Sequence, residues 1–425
     1  MNRTGGAEAR RQTPARSLSS ACLTAPICFD AVVFDLDGTL VATDRFWLEA
    51  AERGARRAFR ALGLARELPS SAEWLSLVGM PLDGGFRALF PDLGEVERKA
   101  VLTACVEEEE ALLRTGGAPA MPGVLETLHE LAQLGLSLGI ASNCTASYLQ
   151  RMLDGLGLRD LVDGAQCRES TGIENKADMI ERLLADFGTR SALMVGDRKT
   201  DRDAAWDNGL PHVHCSFGFA QGDEQVESEG RIESLSELGA LLRRRGAWIE
   251  SMLRELGATE APAMRLGIGG LRAAGKTLFA RDAERLLRAR GIRARAIPID
   301  AFASENGGGE LDVARLEREL LEPHARGERV RLEVPNGSAT NVEPGAVLLL
   351  EGELAPRLRT SLDRLVFLDV PAAVQERRLR SRHARHTGAR EPHAPVPSSE
   401  PEERPPLPAD VDLVLDGGNP LGPAD

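Results

Sequence analysis

The sequence predicts an α/β protein with two doubly wound parallel-sheet domains, the first interrupted by a long helical insertion. Three observations lead there. Short apolar runs that close on glycine or a polar strand end recur along the chain, as at Val32–Leu36, Gly135–Ser142, Ala192–Asp197, the stretch opening at Arg265, and Val347–Glu351. Stretches with apolar residues three and four apart separate them, and that alternation marks β/α units around a parallel sheet. The 425 residues exceed one ordinary domain, and each half carries its own polar motif at a strand end.

Composition narrows the function classes. Apolar residues at 42% and charged residues at 28% describe a core-forming chain. A net charge of −13 leaves no basic surplus to neutralise phosphates, which speaks against nucleic acid as a partner. No apolar run approaches the ~18 residues that a membrane helix needs, so no membrane partner is expected. The six cysteines are scattered without a C-x-x-C pair, which fits reduced thiols and a cytoplasmic setting. Of the 52 basic residues only Lys99, Lys176, Lys199 and Lys276 are lysines. A lysine retained where arginine is the rule suggests a site that wants a compact point charge. The oligomeric state stays open.

Residues 1–26, rich in Arg, Ser and Ala, read as a disordered extension. The first domain is expected over 27–245. Its opening strand, V-V-F-D-L-D-G-T-L at 32–40, sets Asp35 and Asp37 at a carboxyl end, and Gly38 lets the chain turn. Two carboxylates there would repel each other and be poorly solvated unless a cation or phosphate sat between them. Helical periodicity runs from Asp44 to about Thr115, longer than a crossover requires, and the acidic run Glu107–Glu110 reads as a solvated helix face. Strands at 135–142, 192–197 and 212–216 follow, and Leu235–Arg245 is a closing helix. Residues 246–263 read as a helical or irregular connector. The second domain is expected over 264–417, running strand, Gly-rich loop and helix from Arg265, with further strands at 294–300, 347–351, 365–370 and 411–415 and a helix at Val313–Leu321. A Pro-rich, charged stretch at 388–408 reads as a mobile loop, and 418–425 as a tail.

In the first half, D-x-D-G-T at 35–39, Ser142-Asn143, Lys176 within S-T-G-I-E-N-K-A-D-M-I, and G-D-R-K-T-D at 196–201 occur in that order. This series resembles the haloacid dehalogenase-like superfamily of phosphotransferases over roughly Ile27–Leu242. S-N-C-T-A-S-Y-L at 142–149 and S-F-G-F at 216–219 are similar to its phosphoglycolate-phosphatase-like branch. The resemblance implies that the insertion, about 42–118, is a cap that chooses the substrate, with Arg45, Trp47, Arg53 or Arg56 as candidates for its pocket. It implies Asp35 as the nucleophile that forms an aspartyl-phosphate, and Asp37 as the acid that protonates the leaving alcohol and then activates water. Ser142 would bond the transferring phosphoryl group and Lys176 would neutralise nucleophile and phosphate. Asp197 and Asp201, with Asp35 and the Asp37 carbonyl, would hold Mg2+. One departure is I-E-N-K where the family often has G-K-P.

In the second half, Gly270, Leu271, Arg272, Ala273, Ala274, Gly275, Lys276 and Thr277 fit G-x-x-x-x-G-K-[ST], the phosphate loop of a P-loop NTPase fold. Its backbone N–H groups, through Leu278, wrap the phosphates of ATP, Lys276 reaches the β/γ oxygens and Thr277 binds magnesium. Residues 264–417 resemble P-loop small-molecule kinases of the uridine kinase, phosphoribulokinase and pantothenate kinase group. That implies Asp300, in I-P-I-D-A-F, as acceptor of the substrate hydroxyl proton, and Glu351, in V-L-L-L-E-G, near the metal or substrate. It also implies a lid over Arg377, Arg378, Arg380, Arg382 and Arg385. The stretch P-N-G-S-A-T-N-V-E-P at 335–344 lacks the pattern by which uridine kinases hold their base, and the lid lacks R-D-x-x-x-R-G, so uridine is not expected.

Together these readings imply a bifunctional enzyme. One half hydrolyses a small phosphate ester with Mg2+, and the other phosphorylates a small hydroxylated metabolite with ATP. The alternatives are a phosphomutase in the first half, or a nucleotide-sensing module without phosphotransfer in the second. Asp300 and Glu351 at strand ends favour catalysis, since a sensor needs no general base.

Overall fold

The computed structural model describes residues 10–11, 25–220, 224, 226–303, 311–333, 339–353, 355–387 and 410–422. The chain divides into two compact units, Phe29–Leu241 and one formed by Met1–Cys28 with Leu242–Asp425. Both are α/β with parallel sheets, as the sequence predicts.

The sheet of the unit Phe29–Leu241 runs Gly164–Cys167, Ser137–Ser142, Ala31–Phe34, Ala192–Gly196, His212–Cys215, Gly230–Ile232. All neighbours are parallel, and numbered along the unit the order is 3-2-1-4-5-6. Ala31–Phe34 and Ala192–Gly196 are buried throughout, as expected for apolar strands covered on both faces. The first strand sits between the second and the fourth. Its carboxyl end therefore opens where the crossovers diverge, the place where open α/β sheets bind ligands.

The insertion forms a cap of four helices, Asp44–Leu62, Ser71–Ser76, Leu82–Leu89 and Glu95–Gly116. Its core is aromatic: Trp74 meets Trp47, Phe86 and Phe90 with ring centroids 5.9–6.3 Å apart. Gly54 lets the two long helices meet backbone to backbone, because a Cβ there would lie 2.4 Å from the Cys105 Cα. The edge strands Gly164–Cys167 and Gly230–Ile232 were not foreseen. G-A-Q-C and G-R-I carry too little apolar pattern to announce themselves.

In the other unit the sheet runs Arg10–Arg11, Leu413–Asp416, Arg364–Asp369, Arg265–Gly270, Val347–Glu351, Ala294–Pro298, again all parallel. Counted from Arg265–Gly270, the main strands lie in the order 2-3-1-4-5, so the first is once more the switch-point strand. Arg10–Arg11 is thus a short edge strand within the stretch expected to be disordered. The rest of residues 1–24, the 388–408 loop and the end of the tail lie outside the described residues. Val330–Glu333 and Ala339–Val342 form a separate antiparallel pair that the sequence reading missed.

Two further differences have physical causes. The expected connector is largely the helix Leu238–Glu255, whose Trp248, Ile249, Met252 and Leu253 enter the core of the second unit together with Leu256. The apolar period that ends the first domain in the sequence reading simply continues past Arg245. The helix expected at Val313–Leu321 begins as an α-turn, widens to a π-turn at Glu317–Leu321 and continues to Ala325. Pro323 has no N–H for the carbonyl four residues earlier, and a wider turn accommodates the loss. Among the described residues, no helix is long and apolar enough to cross a membrane.

Candidate active site

Asp35 follows the strand Ala31–Phe34 and is 1% exposed. Its Oδ1 accepts a hydrogen bond of 2.8 Å from Lys176 Nζ, which also donates to Asp201 Oδ1 at 2.6 Å. Lys176 is the first residue of the helix Lys176–Phe187. Asn175 caps that helix by accepting from the Asp178 N–H, while Asp178 accepts from the Asn175 N–H. The capping box fixes where the helix starts and therefore where the lysine points. Burial works against its ammonium, but Asp201 and Asp35 outweigh it and hold Lys176 above the ordinary lysine range.

Asp197 and Asp201 come from the fourth strand's end and the helix after it, and both are fully buried. Asp201 Oδ2 accepts from the Arg198 N–H at 2.9 Å, and Asp197 Oδ2 accepts from the Phe219 N–H. Carboxylate oxygens of Asp35, Asp197 and Asp201 lie within 4.8 Å of one another. Asp35 Oδ2 and Asp197 Oδ1 are buried with no hydrogen-bond partner. Desolvation, then Asp201, pushes the Asp35 carboxyl up to about 7, and the same two causes raise Asp197. Unpartnered buried oxygens and like charges held together are what a divalent cation relieves, so the donor set fits the expected Mg2+.

The Asp37 side chain is not part of that set. Its Oδ1 accepts from Thr43 Oγ1 and from Tyr148 OH, both at 2.7 Å. Burial raises Asp37 against the pull of these two bonds. Asp37 and Ser142 face a cavity of about 80 Å³ that runs under the cap to Trp47 and Glu109. Of the four cap residues proposed for a pocket, Trp47 lines it, whereas Arg45, Arg53 and Arg56 are exposed on the helix surface.

The sequence reading missed the roles of several residues. Thr43 and Tyr148 orient Asp37; a pointer lay in the composition, since Tyr148 is the chain's single tyrosine. Arg198 donates to the Val78 carbonyl while Asn143 donates to the Gly79 carbonyl at 3.0 Å, tying the cap loop to the sheet. The last, Glu109, corrects an expectation. Glu107 and Glu108 pair with Arg57, but Glu109 turns inward and is 9% exposed. Burial, then the charge of Asp37, pushes Glu109 up to about 8 from its ordinary 4.5.

That shift has a stability consequence. Between pH 4.5 and 8 the folded state holds a proton that the unfolded state has lost, so this group's contribution falls as pH rises through that window. Glu109→Gln should therefore melt several degrees above the parent at pH 8.5 and close to it at pH 4.5. Scanning calorimetry at both values checks it; a uniform offset would mean that Glu109 does not titrate as described.

At the second switch point, Arg265–Gly270 leads through a loop into the helix Lys276–Ala289. Gly270 is obligatory: at φ +147° a Cβ would lie 2.7 Å from the Leu368 carbonyl oxygen. Lys276 Nζ folds back to the carbonyls of Gly270 and Leu271 at 3.0 and 2.9 Å, and Thr277 Oγ1 donates to Glu351 Oε1 at 2.9 Å. Burial lowers Lys276 and raises Glu351. Asp300 is exposed on the turn after Ala294–Pro298, and its Oδ1 would lie 3.6 Å from a Cβ on Gly352. Within the expected lid, Arg378 bonds the carbonyls of Ala273, Gly417 and Gly418. It braces the loop from outside. Arg380 pairs with Glu376, and the Arg385 side chain lies outside the described residues.

An acidic centre at the switch point of a capped parallel sheet fits metal-assisted hydrolytic or transfer chemistry. Comparison narrows it: the haloacid dehalogenase-like hydrolase family matches residues 32–214. A phosphoglycolate phosphatase from Rhodospirillum rubrum is 30% identical over 228 residues, 52% of this chain and 90% of the relative. The chain belongs to that family through this half. It is also 29% identical to a ribulose-1,5-bisphosphate 5-phosphatase from Halopiger xanaduensis, over 50% of this chain and 98% of the relative. A predicted phosphoglycolate phosphatase structure from Haemophilus somnus aligns at a TM-score of 0.45 and 21% identity, over 50% of this chain and 96% of that one.

Proposed function

We propose that residues 29–241 form a Mg2+-dependent phosphomonoester phosphatase acting through an aspartyl-phosphate. The observation that carries the reading is the buried set Asp35, Asp197 and Asp201, bridged by Lys176 and leaving one Asp35 oxygen without a partner. The two related phosphatases support it. The Asp35 carboxylate attacks phosphorus, the bond from phosphorus to the ester oxygen breaks, and Asp37 gives that oxygen its proton. Asp37 then takes a proton from water as the water attacks the aspartyl-phosphate, releasing inorganic phosphate and restoring Asp35. Thr43 and Tyr148 hold Asp37 away from the acidic set and aim it at the leaving group. Lys176 balances the charge of Asp35. Asp35, Asp197 and Asp201 would hold Mg2+, which when bound would supply charge neutralisation for the phosphoryl oxygens.

The direct test is phosphate release from p-nitrophenyl phosphate by the full chain. Release should require Mg2+, vanish with EDTA and return on adding excess Mg2+. Full activity in EDTA would sink the assignment. Transfer of the phosphoryl group without phosphate release would favour a phosphomutase.

A second reading has its own support, the bond between Thr277 and Glu351 beside a phosphate loop at a switch point. On it, the unit containing Leu242–Asp425 binds ATP with Mg2+ and phosphorylates a small hydroxylated molecule, Asp300 taking the hydroxyl proton. The chain is then bifunctional.

A further inference from the structure

The cavity under the cap has an unusual charge. It starts at Asp37 and Ser142 and is closed by Trp47 and Glu109, with Asn143 and Tyr148 as polar walls. Two of its residues are carboxylic acids, and none of the described residues lining it is Lys, Arg or His. The cations nearby are already engaged. Arg151 pairs with Glu110 at 3.3 Å, Arg198 with Glu224 at 2.9 Å, and Lys176 with Asp35 and Asp201. The phosphoryl group has the lysine at its end, but nothing in the cavity would neutralise a second anion on the leaving group. Such an anion would be stripped of water with no cation to pair it, and above about pH 8 it would also meet the ionised Glu109; rejection by an unpaired or like charge is how a site excludes a competitor. At about 80 Å³ the space is also well below the 300–1,000 Å³ usual for drug-sized ligands.

We propose that this cavity selects the phosphate monoester of a small alcohol that carries no second anionic group, and that Glu109 is the residue that excludes one. The inference rests on the phosphatase reading above. It separates this chain from esters such as phosphoglycolate, whose alcohol portion is a carboxylate.

The test compares kcat/KM of the full chain on glycerol 1-phosphate and on phosphoglycolate at pH 8.5, where Glu109 is ionised, with p-nitrophenyl phosphate as reference. Glycerol 1-phosphate should be preferred by on the order of a hundredfold. Glu109→Gln should shift the ratio toward phosphoglycolate by about tenfold or more, chiefly through KM, and Glu109→Arg further still. Melting curves establish that both variants are folded; if Arg at this buried site is not tolerated, the Gln ratio decides alone. A wild-type preference for phosphoglycolate overturns the proposal, and so does a ratio unmoved by the Gln variant. Absence of turnover on all three esters, p-nitrophenyl phosphate included, instead removes the phosphatase reading beneath it.

Discussion

Asp35→Asn should reduce phosphatase turnover by a factor on the order of 10³ or more without lowering the melting temperature. The carboxamide keeps the shape of the side chain but cannot form the acyl-phosphate on which the two-step reaction depends. Stability should hold because Asp35 is an expensive ion. In the metal-free protein, desolvation, then the charge of Asp201, raises its pKa from 3.8 to about 7, so a cost that the amide does not carry builds up as pH rises through that window and is complete above it. The Lys176 ammonium retains Asp201 as its partner. The pairing of lost turnover with an unchanged or higher melting temperature distinguishes a nucleophile from a structural residue. Steady-state phosphate release and calorimetry on the same preparation provide both readings. Residual turnover above a tenth of the parent would assign the nucleophile elsewhere.

What could be read in the sequence follows the range of the interactions involved. Asp35, Asp37, Asp197 and the glycines of 270–275 sit at strand ends, where a few neighbouring residues set strand, turn and polar group together. Lys176 was legible through the ordered motifs that carry the family resemblance, whereas the cap that Asn175 and Asp178 form at its helix start came only with the structure. Tyr148 was not assigned a role because its partner Asp37 is 111 residues away and the contact exists only once two helices stand over one strand end. Glu109 was harder still. Four consecutive glutamates look alike in composition, and only the packing of the helix Glu95–Gly116 turns one inward. The helix Leu238–Glu255 shows the opposite failure: its periodicity was visible, but which core would receive its apolar face was not.

Lys276→Arg should leave ATP bound with modestly weaker affinity while turnover on a responsive hydroxylated substrate falls by on the order of 10²-fold. Charge alone would predict little change, since both side chains carry one positive charge. Geometry decides otherwise. The Lys276 ammonium is buried at the helix start and gives two of its three hydrogens to the carbonyls of Gly270 and Leu271, so one remains for a phosphate oxygen. A planar guanidinium with five donors cannot bond those two carbonyls and a phosphate from one small volume without displacing the loop. The loop has little freedom to give. Gly270 abuts the Leu368 carbonyl, and Ala273 holds a left-handed φ of +60° while its carbonyl accepts from Arg378. On the kinase reading, ground-state binding would spread over many backbone N–H groups and survive. The transferring phosphoryl group depends most on one well-placed charge, so the rate bears the loss. Calorimetric ATP affinity beside coupled ADP release separates the two effects. Turnover within a few-fold of the parent would mean that this loop does not work as a kinase site, and nucleotide sensing would then be the better reading of the second unit.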